Sequence, residues 1–256
     1  MKYSEKQISK LLDGIFDGSI TEFNLPEDYY KAVVDYLKSG LYKGFGMNLE
    51  QAVGKDLELL TQLRENVYMF GAAKTYQEVK EISSLLVDED GNIRTQREFN
   101  EIARNTYDQW NNDWGKTEYN TAIGQAQMAS KWNEIEKQKD VLPLLRYSAV
   151  LDENTSDICA PLDGIVAHVD DPIWDSITPL NHFNCRCILL QEDGLDSEPT
   201  KGNEEIVAEV EDKMQPVFIN NAGKTGEVFT KDHPYFDAPK ELGKNNFGLP
   251  IPETDD

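Results

Sequence analysis

Cys159, His182, Cys185 and Cys187 fall in one short window of the chain, and they comprise all three of its cysteines and one of its three histidines. Thiolate sulfur and imidazole nitrogen are the ligand types that close a Cys₃His tetrahedron around zinc. His182-x-x-Cys185 has an ordinary chelate spacing. Cys185 and Cys187 are separated by a single residue, so both reach one ion only where the backbone turns sharply, and otherwise one of them points elsewhere. Three readings stay open on the residues alone. The four side chains hold a structural zinc; or the cysteines are small buried apolar groups beside a hydrogen-bonded histidine; or a thiolate is activated by His182 as in a cysteine or zinc-dependent hydrolase, with Asp163 or Asp175 orienting the ring. Other catalytic signals are missing, since the sequence has no Gly-x-Ser-x-Gly, no phosphate-cradling glycine loop and no His-Glu-x-x-His. Asn221-Ala222-Gly223-Lys224-Thr225-Gly226 lacks the order of a P-loop. His168 and His233, beside Asp170 and Asp232, read as surface residues.

A chain of 256 residues, 39% hydrophobic and 10% aromatic, is long enough and apolar enough to bury a core. Forty-seven acidic against twenty-five basic side chains leave a net charge of -22. That balance opposes direct binding to nucleic acid, which needs Lys and Arg to displace counterions from phosphates. It also turns the protein toward basic protein surfaces and away from anionic membranes. No apolar run is long enough to span a bilayer, and the stretch through Gly14 lacks the apolar core of a signal peptide, which predicts a soluble, unsecreted protein. An odd number of cysteines argues against a disulfide framework and suits a reducing compartment.

The elements that must position the window begin with helices. Ser4 and Gln7 can form a capping box ahead of an apolar stripe (Ile8, Leu11, Leu12, Ile15, Phe16), and Gly18 stops that helix. Asn24 with Glu27 repeats the device ahead of a stripe from Tyr29 to Leu37 ending at Gly40. Asn48 with Gln51 opens a longer segment whose period runs on through residue 87. Asp88 to Asn92 is a turn, because Asp, Asn and Gly tolerate the left-handed backbone. Two further helical faces follow, one from Phe99 to Trp110 and one from Ala122 to Trp132, separated by a break at Asn111 to Gly115; tryptophans so spaced read as core. After Pro143 the sequence changes to short β-prone runs at 145–151, 165–169 and 187–191. Residues 192–213 are strongly acidic, as expected of a solvated linker or exposed helix, and no Asp-x-Asp-x-Asp-Gly loop suggests Ca²⁺. The aromatic-dotted tail from Met214 can fold back on the body or await a partner. The fold class expected is α+β: a helical body over 1–140, a small antiparallel β module over 141–191, and an acidic linker with a partly irregular tail over 192–256.

Within that module, Asp152-Glu153 with Thr155, then Cys159, Leu162-Asp163-Gly164, Asp170-Asp171-Pro172-Ile173-Trp174, Pro179 and His182-Phe183-Asn184-Cys185-Arg186-Cys187 resemble the motif of the phage Mu F-like head morphogenesis proteins. Thr117-Glu118-Tyr119-Asn120-Thr121-Ala122 upstream resembles the family's lead-in, so the likeness spans about residues 95 to 191. The chain departs from the commoner pattern in having Leu180-Asn181 before the histidine, where a second Pro often stands, and Phe183 after it. The resemblance implies a non-enzymatic minor head protein of a tailed bacteriophage. Such a protein is made in the host cytoplasm, resides in the virion head, and associates with the portal and the major capsid or scaffolding protein at the capsid interior. A separate reading is an effector ejected with the genome, which the net charge of -22 opposes unless a protein carries it. Arg186 is a structural candidate, able to pair with Asp152 or Asp163 as a bidentate arginine does. Leu162-Asp163-Gly164 reads as a turn between two strands, with Gly164 supplying the backbone freedom.

Overall fold

The computed structural model describes residues 3–254. The first helix, α1 (Glu5–Asp17), starts and stops where local chemistry dictates. The Ser4 side chain accepts from the Gln7 amide, the Gln7 side chain accepts from the Ser4 amide, and Gly18 closes the end at φ 79°. α2 (Glu27–Phe45) departs from expectation at both ends. Asn24 does not cap it; the Asn24 amide group instead donates to the Ser19 carbonyl at 2.7 Å, within a two-residue bridge to Thr21. Nor does Gly40 end it, because packing overrides a propensity cost of about 1 kcal/mol at one glycine. Asn48 and Gln51 do exchange reciprocal hydrogen bonds, but around a single turn, and α3 (Lys55–Ser84) begins past Gly54. The turn at Asp88 forms, with Gly91 at φ 85° and the Asp88 carboxylate accepting the Asp90 and Asn92 amides.

Where a break was expected at Asn111 to Gly115, the helix instead widens. α4 (Gln96–Asp108) passes through a π-helical turn over Gln109–Trp114 directly into α5 (Gly115–Gln138). Asn and Asp are turn formers in isolation, but Asn111 is buried, and its side chain donates to the Tyr107 carbonyl and to Glu78, so the polar residues stay helical.

Packing divides the chain into two compact units, and each draws on segments far apart in sequence. Composition shifts mark three stretches along the chain, whereas contacts gather residues by proximity. Unit 1 comprises the segments through Ser39, Val67–Tyr119 and from Pro234 onward. Its core sets the α1 stripe against α4, with Phe16 and Phe99 rings 5.7 Å apart, and joins Tyr29, Tyr30, Val33 and Phe70. The tail folds back here: the Tyr235 ring stacks on Trp110 at 4.9 Å, and the Tyr30 hydroxyl donates to the Pro250 carbonyl at 2.8 Å.

Unit 2 comprises Gly40–Asn66 and Asn120–His233. Its three-stranded antiparallel sheet contains β1 (Leu144–Ser148), β2 (Val166–His168) and β3 (Ile188–Glu192) in the order β2-β1-β3. In register, Leu145 of β1 lies between Ala167 and Gln191. One face of the sheet packs with Trp132, Ile135, Tyr147 and Trp174 into a single apolar cluster. The acidic stretch holds a helix, α6 (Asn203–Glu211), whose Val207 and Val210 are buried in the same cluster while its glutamates face water. Gly44 is required by close approach, since a Cβ there would lie 2.1 Å from the Ile123 carbonyl oxygen. The architecture is α+β, mainly helical with a small antiparallel sheet.

Candidate functional site: a thiol and imidazole knuckle

The knuckle is assembled by two turns at one end of the sheet. Cys159 precedes a 3₁₀ turn (Ala160–Leu162) and its amide donates to the Ser156 hydroxyl at 3.1 Å. The second turn spans His182 to Cys185: the Cys185 amide donates to the His182 carbonyl at 3.2 Å, and Asn184 takes φ 58°. Asparagine is one of few side chains that enters the left-handed region at small cost. The turn brings His182 and Cys185 together ahead of Cys187, and β3 starts directly after Cys187. Beneath both turns the buried Tyr147 hydroxyl of β1 donates to the Asn181 side chain at 2.7 Å and lies 3.4 Å from Cys159 Sγ.

Cys159 Sγ and Cys185 Sγ are 3.8 Å apart, and the ligand atoms of Cys159, His182 and Cys185 all lie within 4.8 Å of one another. The Cys187 thiol interacts with both other thiols without joining that mutual set. A sulfur separation of 3.8 Å is far too long for a disulfide, whose bond is about 2.0 Å. It equals the edge of a tetrahedron with metal–sulfur bonds of about 2.3 Å, which is about 3.8 Å. His182 Nδ1 lies 2.8 Å from the Phe183 carbonyl oxygen. A carbonyl only accepts, so Nδ1 carries the proton and the Nε2 lone pair is left as the donor, the arrangement in which histidine binds metals. Hydrogen bonds from Cys185 and Cys187 hold the Cys159 thiol far below the ordinary thiol range, and the same contacts push Cys185 and Cys187 up. A groove of about 710 Å³ beside α5 and β3 opens onto Cys185 and Cys187 and gives solutes access to them.

The neighbouring motif residues serve structure. Arg186 makes two 2.7 Å hydrogen bonds to Asp152, which hold that carboxyl at about 2. Asp163 is not its partner; it accepts the Ala149 amide at 2.8 Å, and Gly164 beside it takes φ 80° and donates to the Tyr147 carbonyl. Asp175 is paired with Lys224. Neither carboxylate proposed to orient the imidazole does so, and the His182 ring is aimed by a backbone carbonyl instead.

Unit 1 holds a second polar cluster that the sequence reading did not find. Lys74 Nζ, on α3, donates to Glu118 Oε1 of α5 and to the Trp110 carbonyl, both at 2.8 Å, and lies over the Trp110 and Tyr235 rings. The Tyr235 hydroxyl donates to the same Glu118 oxygen at 2.8 Å. One turn along α3, the fully buried Glu78 accepts from the Tyr29 hydroxyl at 2.6 Å and from Asn111 at 2.8 Å. Burial pushes Glu78 up to about 7, partly offset by the charge of Lys74. The π turn is part of this site, since it offers the Trp110 carbonyl to both the Gly115 amide and the Lys74 ammonium. The available signal was Lys74 and Glu78 four residues apart on a helix face otherwise apolar.

Residues 92–190 match the family model described as Phage Mu protein F like protein. Over 67 residues the chain is 36% identical to the Mu-like prophage FluMu F protein of Haemophilus influenzae (strain ATCC 51907 / DSM 11121 / KW20 / Rd). That alignment covers 26% of this chain and 15% of the relative, so the likeness is to a segment of a longer protein. No solved structure matches the chain. The knuckle, α4, all of α5 and the sheet up to Leu190 of β3 lie within the matched residues, whereas Lys74, Glu78 and Tyr235 lie outside them. No helix of the described residues is long and apolar enough to cross a membrane.

Proposed function

We propose, on the premise that residues 92–190 are a Mu F-like segment, that this protein is a non-catalytic component of a tailed-phage head acting in capsid assembly. Its partners in this reading are the portal protein and the major capsid or scaffolding protein, met in the host cytoplasm and retained in the virion head. The observation that carries the reading is the coincidence of the matched segment with the motif-dense module from Asp152 to Leu190. A net charge of -22 supports basic protein surfaces as partners in preference to packaged DNA. Co-expression with a portal and capsid protein of the same phage should yield head particles containing this chain, and particles that form with normal yield and composition in its absence would sink the assembly role.

The knuckle belongs to this reading as a rigid fixture held by one structural zinc. Cys159, His182 Nε2 and Cys185 would supply three ligands and Cys187 the fourth. Bound there, the ion would tie two loops that no disulfide joins and contribute its binding energy to folding. Elemental analysis of protein purified without a metal-affinity tag is expected to find about one zinc per chain, with a melt lowered by a strong chelator. Absence of metal together with a chelator-insensitive melt would return the cysteines to a purely apolar role.

A further inference from the structure

We propose that Lys74 and Glu118 condense to an intramolecular amide, cross-linking α3 to α5 within unit 1. The two side chains come from positions far apart in sequence and meet at 2.8 Å in a site from which water is excluded, with side-chain exposures of 2% and 7%. Proximity of a nucleophile and an electrophile fixed in one geometry supplies much of the barrier lowering that a slow condensation needs. The carboxyl group is also differentiated. Glu118 Oε1 accepts from the Tyr235 hydroxyl, as the oxygen that stays must when charge develops on it. The other oxygen, Oε2, is buried and accepts no hydrogen bond from the described residues, so it is the one free to leave. Such an orphaned acceptor is costly in a structure that is otherwise well satisfied. Glu78 lies four residues from Lys74, hence on the same face of α3 one turn away, and shares the buried site. Held up to about 7, it can take and return a proton near neutral pH.

The step balances without any co-reactant. Proton transfer within the ion pair gives a neutral amine and a neutral acid; the amine nitrogen forms a bond to the Glu118 carboxyl carbon, and the carbon–Oε2 bond breaks. Of the three ammonium protons, one remains on the amide nitrogen and two leave with Oε2 as water. Glu78 accepts a proton from nitrogen, passes one to Oε2, and ends unchanged. The Trp110 and Tyr235 rings keep bulk water from reversing the bond.

The test is the intact mass of the purified, folded full-length chain, followed by digestion and fragmentation. The expected result is a mass lower than the sequence mass by one water, with the loss located in a branched peptide joining Lys74 to Glu118. Protein at the full sequence mass would overturn the proposal, as would a water loss mapped to a succinimide at Asp90-Gly91 or Asp163-Gly164. Lys74→Arg should carry the full mass, and Glu78→Gln should form the linkage about 100-fold more slowly. Linkage at an undiminished rate in Glu78→Gln would remove Glu78 from the reaction.

Discussion

The sulfur knuckle of unit 2 and the charged cluster of unit 1 both join segments distant in sequence, and they do so by opposite physics. At the knuckle, soft ligand atoms converge at a partly open edge of the fold. In the charged cluster the positive charge is built in, with Lys74 held between Glu118, the Trp110 carbonyl and two aromatic rings. The zinc proposed for the first would be loaded and unloaded from solution. The second is fixed once the chain folds, because taking an ion pair out of water is tolerable only with every partner in place. With the zinc and the amide proposed above, one cross-link would depend on its surroundings and the other would not.

The contrast is sharpest if the charged cluster is broken from one side. Relative to the uncondensed wild-type chain, Lys74→Met leaves Glu118 buried without a counter-charge and should cost about 3–5 kcal/mol in urea denaturation, whereas adding Glu118→Leu should recover most of that loss. If the double variant proves no better than the single, the cluster is doing more than neutralising itself. The next largest effect is a pH dependence confined to unit 1. Glu78 is raised in the folded state relative to its ordinary value, so the folded chain holds a proton that the unfolded chain releases. Stability should therefore fall as pH rises from about 4.5 to about 7, by about 3 kcal/mol, and level off above that range. Glu78→Gln should flatten this stretch of the profile; a profile unchanged by the substitution would assign the titration elsewhere.

On the unit 2 side, Gly44→Ala would drive a Cβ against the Ile123 carbonyl, a backbone atom that cannot rotate away, and should cost about 1–3 kcal/mol. Gly124→Ala meets only the flexible end of Leu180 and should cost visibly less, the difference being read from paired thermal melts. The smallest effect belongs to Asp152→Asn. Its bond to Arg186 is well formed but half exposed, so a slight drop in melting temperature, fading with added salt, is expected. A large, salt-insensitive drop would mean that this pair supports the knuckle directly.

The same contrast explains what could be read from the residues. Ser4, Gln7 and Gly18 specify the ends of α1 because capping is settled within one turn, and Cys159, His182, Cys185 and Cys187 stand out because their types are rare and crowded. The strands of the module were legible from β-prone runs between turn formers, to within a few residues. Asn24, Gly40 and Asn111 misled because each has a strong local preference that tertiary contacts override: a carbonyl of Ser19, a buried helix face, a carboxylate of Glu78. Lys74 could be flagged only by its spacing from Glu78, and nothing in the sequence joined it to Glu118, since both are common residues and their meeting depends on how two long helices lie together. Arg186 offered two acidic partners within reach of its sequence, and only the geometry selected Asp152.

The contact between Tyr30 and Pro250 has a consequence for how the molecule is made. It closes across a sequence separation of 220 residues, and Tyr235 reaches back to Glu118 over 117. Unit 1 cannot be completed on the ribosome until Pro250 has emerged, and its helices must wait with the Trp110 face uncovered. During synthesis the first segments are therefore the last to be sealed, and a stalled or truncated chain would present an aromatic surface that chaperones recognise.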